Sequence, residues 1–238
     1  GYVKGTYGEE VMPGFGVDLN IDNGRFKYPD LPESCENIFV DLKVTSPDGK
    51  DTDGMVVNLK RFALKMAGNP IEARMLLVKP TTNPTVDAEL KANVDLASIN
   101  KVVPLEKGDE LKGNLTADIR MKGAMSDIEA QRYEKFTADG KLILLDMAYK
   151  SDSLPIPVGI NSLYFEFSPQ FLALTSFDGT VGSSSIQAKG RMDNYLQWWL
   201  KDSTLVGTFD MTADKFDMNE LMGPETATTE GAPADTSS

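Results

Sequence analysis

The sequence contains no histidine, and this absence excludes several classes of function at once. Without an imidazole there is no Ser-His-Asp or Cys-His triad and no histidine ligand for a metal ion. The single cysteine, Cys35, cannot close an intrachain disulfide or build a multi-thiolate zinc site. We therefore expect no catalytic residues, no metal site and no cofactor, and a fold stabilised by packing.

Basic residues and long apolar runs are also scarce. The chain has 24 Lys and Arg against 36 Asp and Glu, a formal net charge of −12, so we expect no nucleic-acid partner. The longest aliphatic run is Leu142-Ile143-Leu144-Leu145, far short of the roughly 20 residues that span a bilayer. We expect this stretch itself to be soluble. Because it opens abruptly at Gly1 in strand-like sequence, we also expect a targeting segment to lie upstream in a longer protein.

Apolar and polar residues alternate with a period of two through much of the chain. In the clearest case, residues 111–121, the odd positions are apolar or small and the even positions, from Lys112 to Arg120, are polar. This pattern predicts one strand roughly 35 Å long, with one apolar and one solvated face. Similar patterns recur near 15–22, 86–95 and 205–213, so we predict about ten strands in a mainly β, or β-rich α+β, protein.

Turn residues between these runs predict antiparallel hairpins at Asn23-Gly24, Pro47-Asp48-Gly49 and Asp178-Gly179. Three short helices are predicted to cap the ends of the sheet. They span residues 95–103, residues 126–135 behind a Ser-x-x-Glu capping box, and residues 191–200.

The order strand, short helix, long strand occurs twice, at 92–115 and at 188–209. We interpret it as two imperfect repeats, about 15–123 and 136–222, within one domain, 1–223, in which each copy buries its neighbour's open edge. The identity is low, and chance similarity is the competing explanation. Residues 224–238 lack large apolar side chains and are predicted to be a disordered tail or linker.

Long strands with one apolar face need a cover, and three short helices are few for that task. Either the long, twisted antiparallel sheet rolls and covers itself, or it curves around an open apolar groove that holds acyl chains or continues into neighbouring modules. The residues proposed to line that groove are Val17, Leu19, Ile21, Val86, Leu90, Leu111, Leu115, Ile119, Met121, Leu205, Phe209 and Met211.

Several segments carry a family resemblance through their order along the chain. Residues 24–32 read Gly-Arg-Phe-Lys-Tyr-Pro-Asp-Leu-Pro, residues 36–42 read Glu-Asn-Ile-Phe-Val-Asp-Leu, and Pro47-Asp48-Gly49 follows. Downstream, Ala-Asn-Val-Asp-Leu at 92–96 precedes Lys-Gly-Asn-Leu-Thr-Ala-Asp at 112–118, with Lys122-Gly123 next. Together, over roughly residues 10 to 222, they resemble the C-terminal region of the AsmA family in its Bacteroidetes form.

The resemblance implies a part of a larger envelope-biogenesis protein similar to the TamB group of repeating β-groove proteins. Such a protein is anchored by an upstream helix in the inner membrane of a Gram-negative bacterium and projects into the periplasm. The implied partners are phospholipid or other acyl chains and the neighbouring repeats of the full-length protein. We expect this chain to act as one section of such a carrier.

Two other functions stay open. The first is a structural or protein-interaction module, with a fully internal apolar face and sheet edges that recruit partner strands. The second is a carbohydrate-binding sandwich that uses Trp198, Trp199 and Tyr195. For Trp199 we expect instead a packing role at the end of the apolar layer. An enzyme ranks last, because no nucleophile, base and metal ligands form a coherent set.

Overall fold

The structure is a computed structural model that describes residues 1–5, 13–47, 52–106, 108–151 and 156–214. Strands make up 63% of these residues and short helices 12%, which confirms the predicted mainly β class. The twelve strands of this part of the chain form a single antiparallel sheet that is not closed into a barrel. Each strand pairs with the strands before and after it in sequence.

The strands are long and their connections are mostly short. The strands are β1 (Tyr2–Lys4), β2 (Gly14–Phe26), β3 (Cys35–Ser46), β4 (Val56–Met66), β5 (Asn69–Val78), β6 (Thr85–Asp95), β7 (Glu110–Ala124), β8 (Thr137–Lys150), β9 (Val158–Phe167), β10 (Leu172–Val181), β11 (Ser184–Met192) and β12 (Gly207–Ala213). The helices are α1 (Met125–Glu129) and α2 (Tyr195–Lys201), with 3-10 turns at Thr52–Gly54, Leu96–Lys101 and Tyr133–Lys135.

The alternation in the sequence sets the two faces of the sheet. In β7 the even positions are exposed and the odd positions are shielded, as the pattern at 111–121 predicts. The cross-strand register pairs apolar residues with apolar ones and polar residues with polar ones. Ile119 pairs with Leu90 on one face, and Asp118 pairs with Lys91 on the other. A slip of one residue would exchange the faces, so the pattern itself fixes the register.

Register shifts interrupt several strand pairs without disturbing this sidedness. Between β7 and β8 the register shifts from Lys112 to Asn114, and Asp146 in β8 has a φ of 50°. Gly113 has a φ of +124°, and a Cβ atom there would lie 2.6 Å from the Cα of Met147. Only glycine fits that close approach of the two backbones.

Two of the predicted hairpin turns are wrong, because they are irregular points inside strands. Asn23-Gly24 lies within β2, where Asn23 has a φ of 53° and the pairing with β3 shifts between Ile21 and Gly24. Asp178-Gly179 lies within β10, next to a register shift against β9. Residues that suit a tight turn suit a bulge for the same conformational reason. The third predicted turn includes Asp48 and Gly49, which lie outside the described residues.

The three predicted helices exist, but they are shorter than expected. The first is the 3-10 turn after β6, where Asp95 accepts a hydrogen bond from the backbone N–H of Ala97 at 3.0 Å. The capping box is wrong, because the N-cap of α1 is Ala124, while the N–H of Ser126 donates to Asn83 Oδ1 at 2.9 Å. The third prediction, 191–200, begins too early, because β11 continues through Met192.

Both strand, short helix, strand units are present at their predicted places. They are β6 to β7 and β11 to β12, and their first strands are five positions apart in the sheet. Since neighbouring strands alternate in direction, the two units run in opposite directions and their helices lie at opposite ends of the sheet. The repeat bounds stay a prediction. Residues 215–238, with the predicted tail, lie outside the described ranges.

Burial is concentrated at the end of the sheet where α1 and α2 lie, which we call the helical end. β7 and β11 run in the same direction and are four strands apart, about 19 Å at about 4.8 Å per strand. The helices that follow them nevertheless meet, and Lys201 Nζ lies 2.6 Å from Glu129 Oε1. The helices therefore reach towards each other across the ends of β8, β9 and β10. The buried cluster there comprises Val86, Met125, Ile128, Phe136, Ala138, Tyr195 and Leu196.

Candidate functional site

One surface of the sheet, which we call the apolar face, carries hydrophobic residues from β2 to β12. Cross-strand partners line up in rows that cross many strands. One row contains Leu19, Leu42, Leu59, Met75, Ala88 and Met121. Another contains Val94, Leu115, Leu144, Leu163, Phe177, Ala188 and Met211. The rows overlap at β6 and β7, so the apolar face is continuous across the sheet.

Much of this face is accessible to solvent. Apart from contacts between neighbouring strands, the main contacts between described elements involve only α1, α2 and the 3-10 turns. The alternating side chains of β2 illustrate the result, because Leu19 is 43% exposed although it lies on the apolar side. The described elements therefore leave most of the apolar face uncovered.

The twelve residues predicted to line a groove fall into four groups. Val17, Leu19, Ile21, Leu90, Phe209 and Met211 are exposed strand residues. Leu111, Leu115, Ile119 and Met121, all in β7, are half-buried. Leu205 is exposed but precedes β12, in the connection from α2. Val86 is only 1% exposed, because it lies in the cluster beneath α1 and α2, so it does not line the open part of the face.

A concave, open pocket lies where the apolar face meets α2. We call it the aromatic mouth, and its volume is about 250 Å³. Strands β7, β9, β10 and β11 supply its floor, and α2 with the residues after it supplies its rim. Apolar and aromatic side chains line it, namely Met121, Phe167, Leu172, Met192, Tyr195, Trp198, Trp199 and Leu205. Among the described residues, no charged side chain contributes to this lining.

Tyr195 connects the mouth to the buried cluster. Its hydroxyl donates to the backbone oxygen of Ser168 at 2.9 Å, and its ring meets Phe167 edge to face with the centroids 6.0 Å apart. Burial raises the pKa of Tyr195, so the phenol stays neutral in the folded protein. The polar group is satisfied by the backbone, and the mouth is lined by the carbon surface of the ring.

Trp199 does not plug the apolar layer as expected. Tyr195 and Leu196 are buried, whereas Trp198 and Trp199 are each 49% exposed. α2 has only about two turns, and its first turn carries the buried residues. The carbohydrate-binding hypothesis is weakened, because one of its three rings is buried. The remaining rings also lie beside apolar side chains that offer no hydrogen bonds to sugar hydroxyls.

The opposite face of β5, β6 and β7 carries a ladder of ion pairs. Arg74 contacts Asp87 at 2.6 Å and Glu89 at 2.9 Å, while Arg120 contacts Glu89 at 3.2 Å and Lys122 contacts Asp87 at 3.1 Å. Hydrogen bonding to Arg74 lowers the pKa of Glu89. Burial alone would raise the pKa of Asp87, but hydrogen bonds from Arg74 and Lys122 outweigh it and the pKa is lowered. These carboxylates are held ionised, in cross-strand pairs that support the register.

Neither metal-ligating groups nor long apolar helices stand out. Among the described residues, no three Asp, Glu or Cys side chains are grouped so that they could hold a metal ion. None of the helices in the described ranges has the length and apolar character needed to cross a membrane. Comparisons with protein-family models, curated proteins and solved structures find no match to this chain. Function therefore has to be inferred from the chemistry of the apolar face and the mouth.

Proposed function

We propose that the chain is a non-enzymatic envelope-biogenesis module whose apolar face contacts or conveys the acyl chains of phospholipids. The observation that carries this proposal is the continuous row structure of that face together with its partial exposure: the rows end on the exposed Leu19 and Met211, and most of their other members are half-buried. Exposed apolar surfaces of large extent mark ligand, membrane or protein contacts. The mechanism is passive: each methylene that leaves water contributes about 0.8 kcal/mol, without proton transfer or a covalent bond.

The proposal extends to the setting of the molecule. We place the chain in the AsmA family, on the periplasmic side of the inner membrane of a Gram-negative bacterium, with an upstream anchor and neighbouring repeats. The support for this setting is the order of the segments at 24–32, 36–42 and 112–118. An open sheet with an apolar face is the architecture that such a section requires, because it can be lengthened at its edges.

A lipid-binding experiment on the purified chain tests the function. The double variant Leu90→Gln with Ile119→Gln replaces a cross-strand pair on the apolar face. The matched control, Lys91→Gln with Asp118→Gln, replaces the neighbouring cross-strand pair on the polar face. We expect the unmodified chain and the control to bind a fluorescent fatty acid that unlabelled fatty acid displaces, and the apolar-face variant to bind it more weakly.

Mass spectrometry of lipid extracted from the purified protein provides a second measurement. Co-purifying phospholipid that decreases in the Leu90→Gln and Ile119→Gln variant would support the proposal. Absence of bound lipid, together with no displaceable binding of the fluorescent fatty acid, would contradict it. Equal loss in the polar-face control would also contradict it, because the effect would then not belong to the apolar face.

A protein-interaction module is the second candidate, and the edges of the sheet favour it. In the described part of the chain, β1 pairs only with Gly14, Phe15 and Gly16 of β2. The stretch of β2 from Val17 to Phe26 therefore presents one side of its backbone unpaired by β1. Such an edge accepts a partner strand. A module of this kind would keep its partner when Leu90 and Ile119 are replaced, whereas lipid binding would be lost.

A further inference from the structure

A group of exposed hydrophobic residues lies at the helical end, at the rim of the mouth. We call it the lip; it consists of Trp198, Trp199, Leu205 and Val206. Both tryptophans of the chain are in it, and Val206 is 57% exposed. We propose that the lip docks on the surface of a zwitterionic bilayer, with the indole rings at the level of the headgroups.

The backbone N–H and oxygen of Val206 are both hydrogen-bonded. Asn194 clamps the connection after α2, because its Nδ2 donates to the oxygen of Thr204 at 2.6 Å and its Oδ1 accepts from the N–H of Val206 at 2.7 Å. The oxygen of Val206 accepts from the N–H of Asp193 at 3.0 Å. An unpaired backbone group is costly in an apolar layer. Val206 can therefore enter the edge of a membrane without carrying an unsatisfied backbone donor or acceptor.

The composition of the lip suits the interface of a bilayer. Tryptophan is enriched at membrane surfaces because its large ring is apolar while its indole N–H stays hydrated. Leu205 and Val206 are adjacent in sequence to each other and close to the helix that carries both rings. These four exposed apolar side chains would give membrane affinity that scales with the apolar area they bury.

Charge selects the kind of bilayer. Two cations beside the lip in the described part of the chain are paired, since Lys201 contacts Glu129 and Arg191 contacts Asp193. The chain as a whole has a net charge of −12. An anionic lipid surface would repel a chain with this charge, and binding to such a surface would need a polybasic patch on the protein. The occupant that fits is therefore a lipid surface without net charge, such as phosphatidylcholine or phosphatidylethanolamine.

The lip also borders the aromatic mouth, because Trp198, Trp199 and Leu205 contribute to both. A docked lip would bring the mouth close to the acyl region of the bilayer. Transfer of an acyl chain from the bilayer into the mouth rests on the proposed function. Docking itself does not, so the two can fail separately.

Intrinsic fluorescence tests docking without a label, because both tryptophans lie in the lip. With vesicles of pure phosphatidylcholine, we expect the tryptophan emission to shift to the blue and lipids brominated on the acyl chain to quench it. The variant Val206→Asp keeps both fluorophores, and we expect it to lose the shift. The matched control is Val103→Asp, another exposed valine, which follows β6 at the opposite end of the sheet; we expect it to keep the shift.

Four results would overturn docking on a neutral bilayer. The first is no shift with phosphatidylcholine vesicles. The second is a shift that needs added phosphatidylglycerol and disappears in salt, which would indicate electrostatic adsorption. The third is a shift with monomeric fatty acid but not with vesicles, which would indicate capture of single acyl chains. The fourth is equal loss in Val103→Asp and Val206→Asp, which would remove the assignment to the lip.

The fatty-acid assay separates docking from the proposed function. If docking is a separate step, the Leu90→Gln and Ile119→Gln variant keeps the vesicle-induced shift while its fatty-acid binding falls. The Val206→Asp variant shows the opposite result, with fatty-acid binding retained and docking lost. If the unmodified chain docks on vesicles but does not bind fatty acid, only the proposed function is contradicted.

Discussion

Leu196 and Leu19 are both leucines that belong to the apolar side of the same molecule, yet their surroundings differ. Leu196 is 1% exposed at the helical end, whereas Leu19 in β2 is 43% exposed. The difference follows from the connections between strands. The connections after β7 and β11 are long enough to form α1 and α2, which cover the face beneath them. Connections such as Ala67-Gly68 between β4 and β5 are too short to cover anything.

The comparison indicates that one sequence pattern serves two purposes. Alternation produces an apolar face along the long strands, and the main buried cluster on that face lies at the helical end. At the opposite end of the sheet Val94 and Val102 are buried as well. Apolar area that is buried beneath a cover stabilises the fold, whereas apolar area without a cover is available for a ligand. We therefore expect substitutions at the helical end to change stability, and substitutions on the open face to change binding.

The pair of variants Leu196→Ala and Leu19→Ala has the largest expected difference in stability between the two regions. We expect Leu196→Ala to lower the free energy of unfolding by about 2–5 kcal/mol, because it leaves a cavity in the buried cluster. Leu19→Ala removes one exposed member of a cross-strand pair with Leu42, and we expect a loss of about 1 kcal/mol or less. Urea unfolding of both variants under identical conditions measures the two values.

Equal losses for the two variants would contradict the contrast between the regions. A large loss in Leu19→Ala would mean that something covers β2 in solution. A small loss in Leu196→Ala would mean that α2 does not pack on the sheet. In either case the open face could not be treated as a surface distinct from the core.

Tyr195 gives a second test at the helical end, with an effect of intermediate size. Burial raises the pKa of this phenol above its ordinary value of 10.0, so its protonated form stabilises the folded state. That contribution is fully present below pH 10 and is lost as the pH rises further, since the unfolded chain releases the proton first. Tyr195→Phe lacks the ionisation, and it also lacks the hydrogen bond to Ser168, worth about 1 kcal/mol.

The expected result is therefore a change of order with pH. At pH 8 the unmodified chain should have the higher free energy of unfolding, and at pH 11 its advantage over Tyr195→Phe should shrink or reverse. Chemical unfolding at the two pH values measures this difference, and the other alkaline ionisations affect both proteins alike. A constant difference between them would show that Tyr195 is not buried in solution.

Much of the sheet can be predicted from the sequence because strand alternation is a local signal. The pattern at 111–121 identifies β7, and its apolar members do face the same side. Irregularities are harder to predict, since Asn23-Gly24 suits a turn and a bulge equally well, and the pairing of β2 with β3 decides between them. The burial of Val86 could not be predicted from β6, because it depends on helices that follow other strands.

The aromatic mouth shows the same limit for the candidate site. Phe167 and Leu172 form part of its floor and were not predicted, although Leu163, Phe165 and Phe167 alternate in β9. That alternation was the available signal. The contact of these residues with α2 depends on the tertiary structure, because β9, β10 and α2 come together only when the helices cross the end of the sheet.

A substitution in the ion-pair ladder of the polar face has the smallest expected effect on stability. Arg74→Met keeps the aliphatic stem but removes the cation that pairs with Asp87 and Glu89. The pKa values of both carboxyl groups are lowered in the folded state. The ion pairs therefore stabilise the fold at pH values above the ordinary pKa values of Asp and Glu. This contribution is lost as the pH falls through the lowered pKa values. Because exposed pairs contribute little, we expect a small decrease in the urea midpoint at pH 7 that fades towards pH 3. An equal decrease at both pH values would assign the effect to packing of the stem, and an effect as large as that of Leu196→Ala would place part of the stabilising core on the polar face.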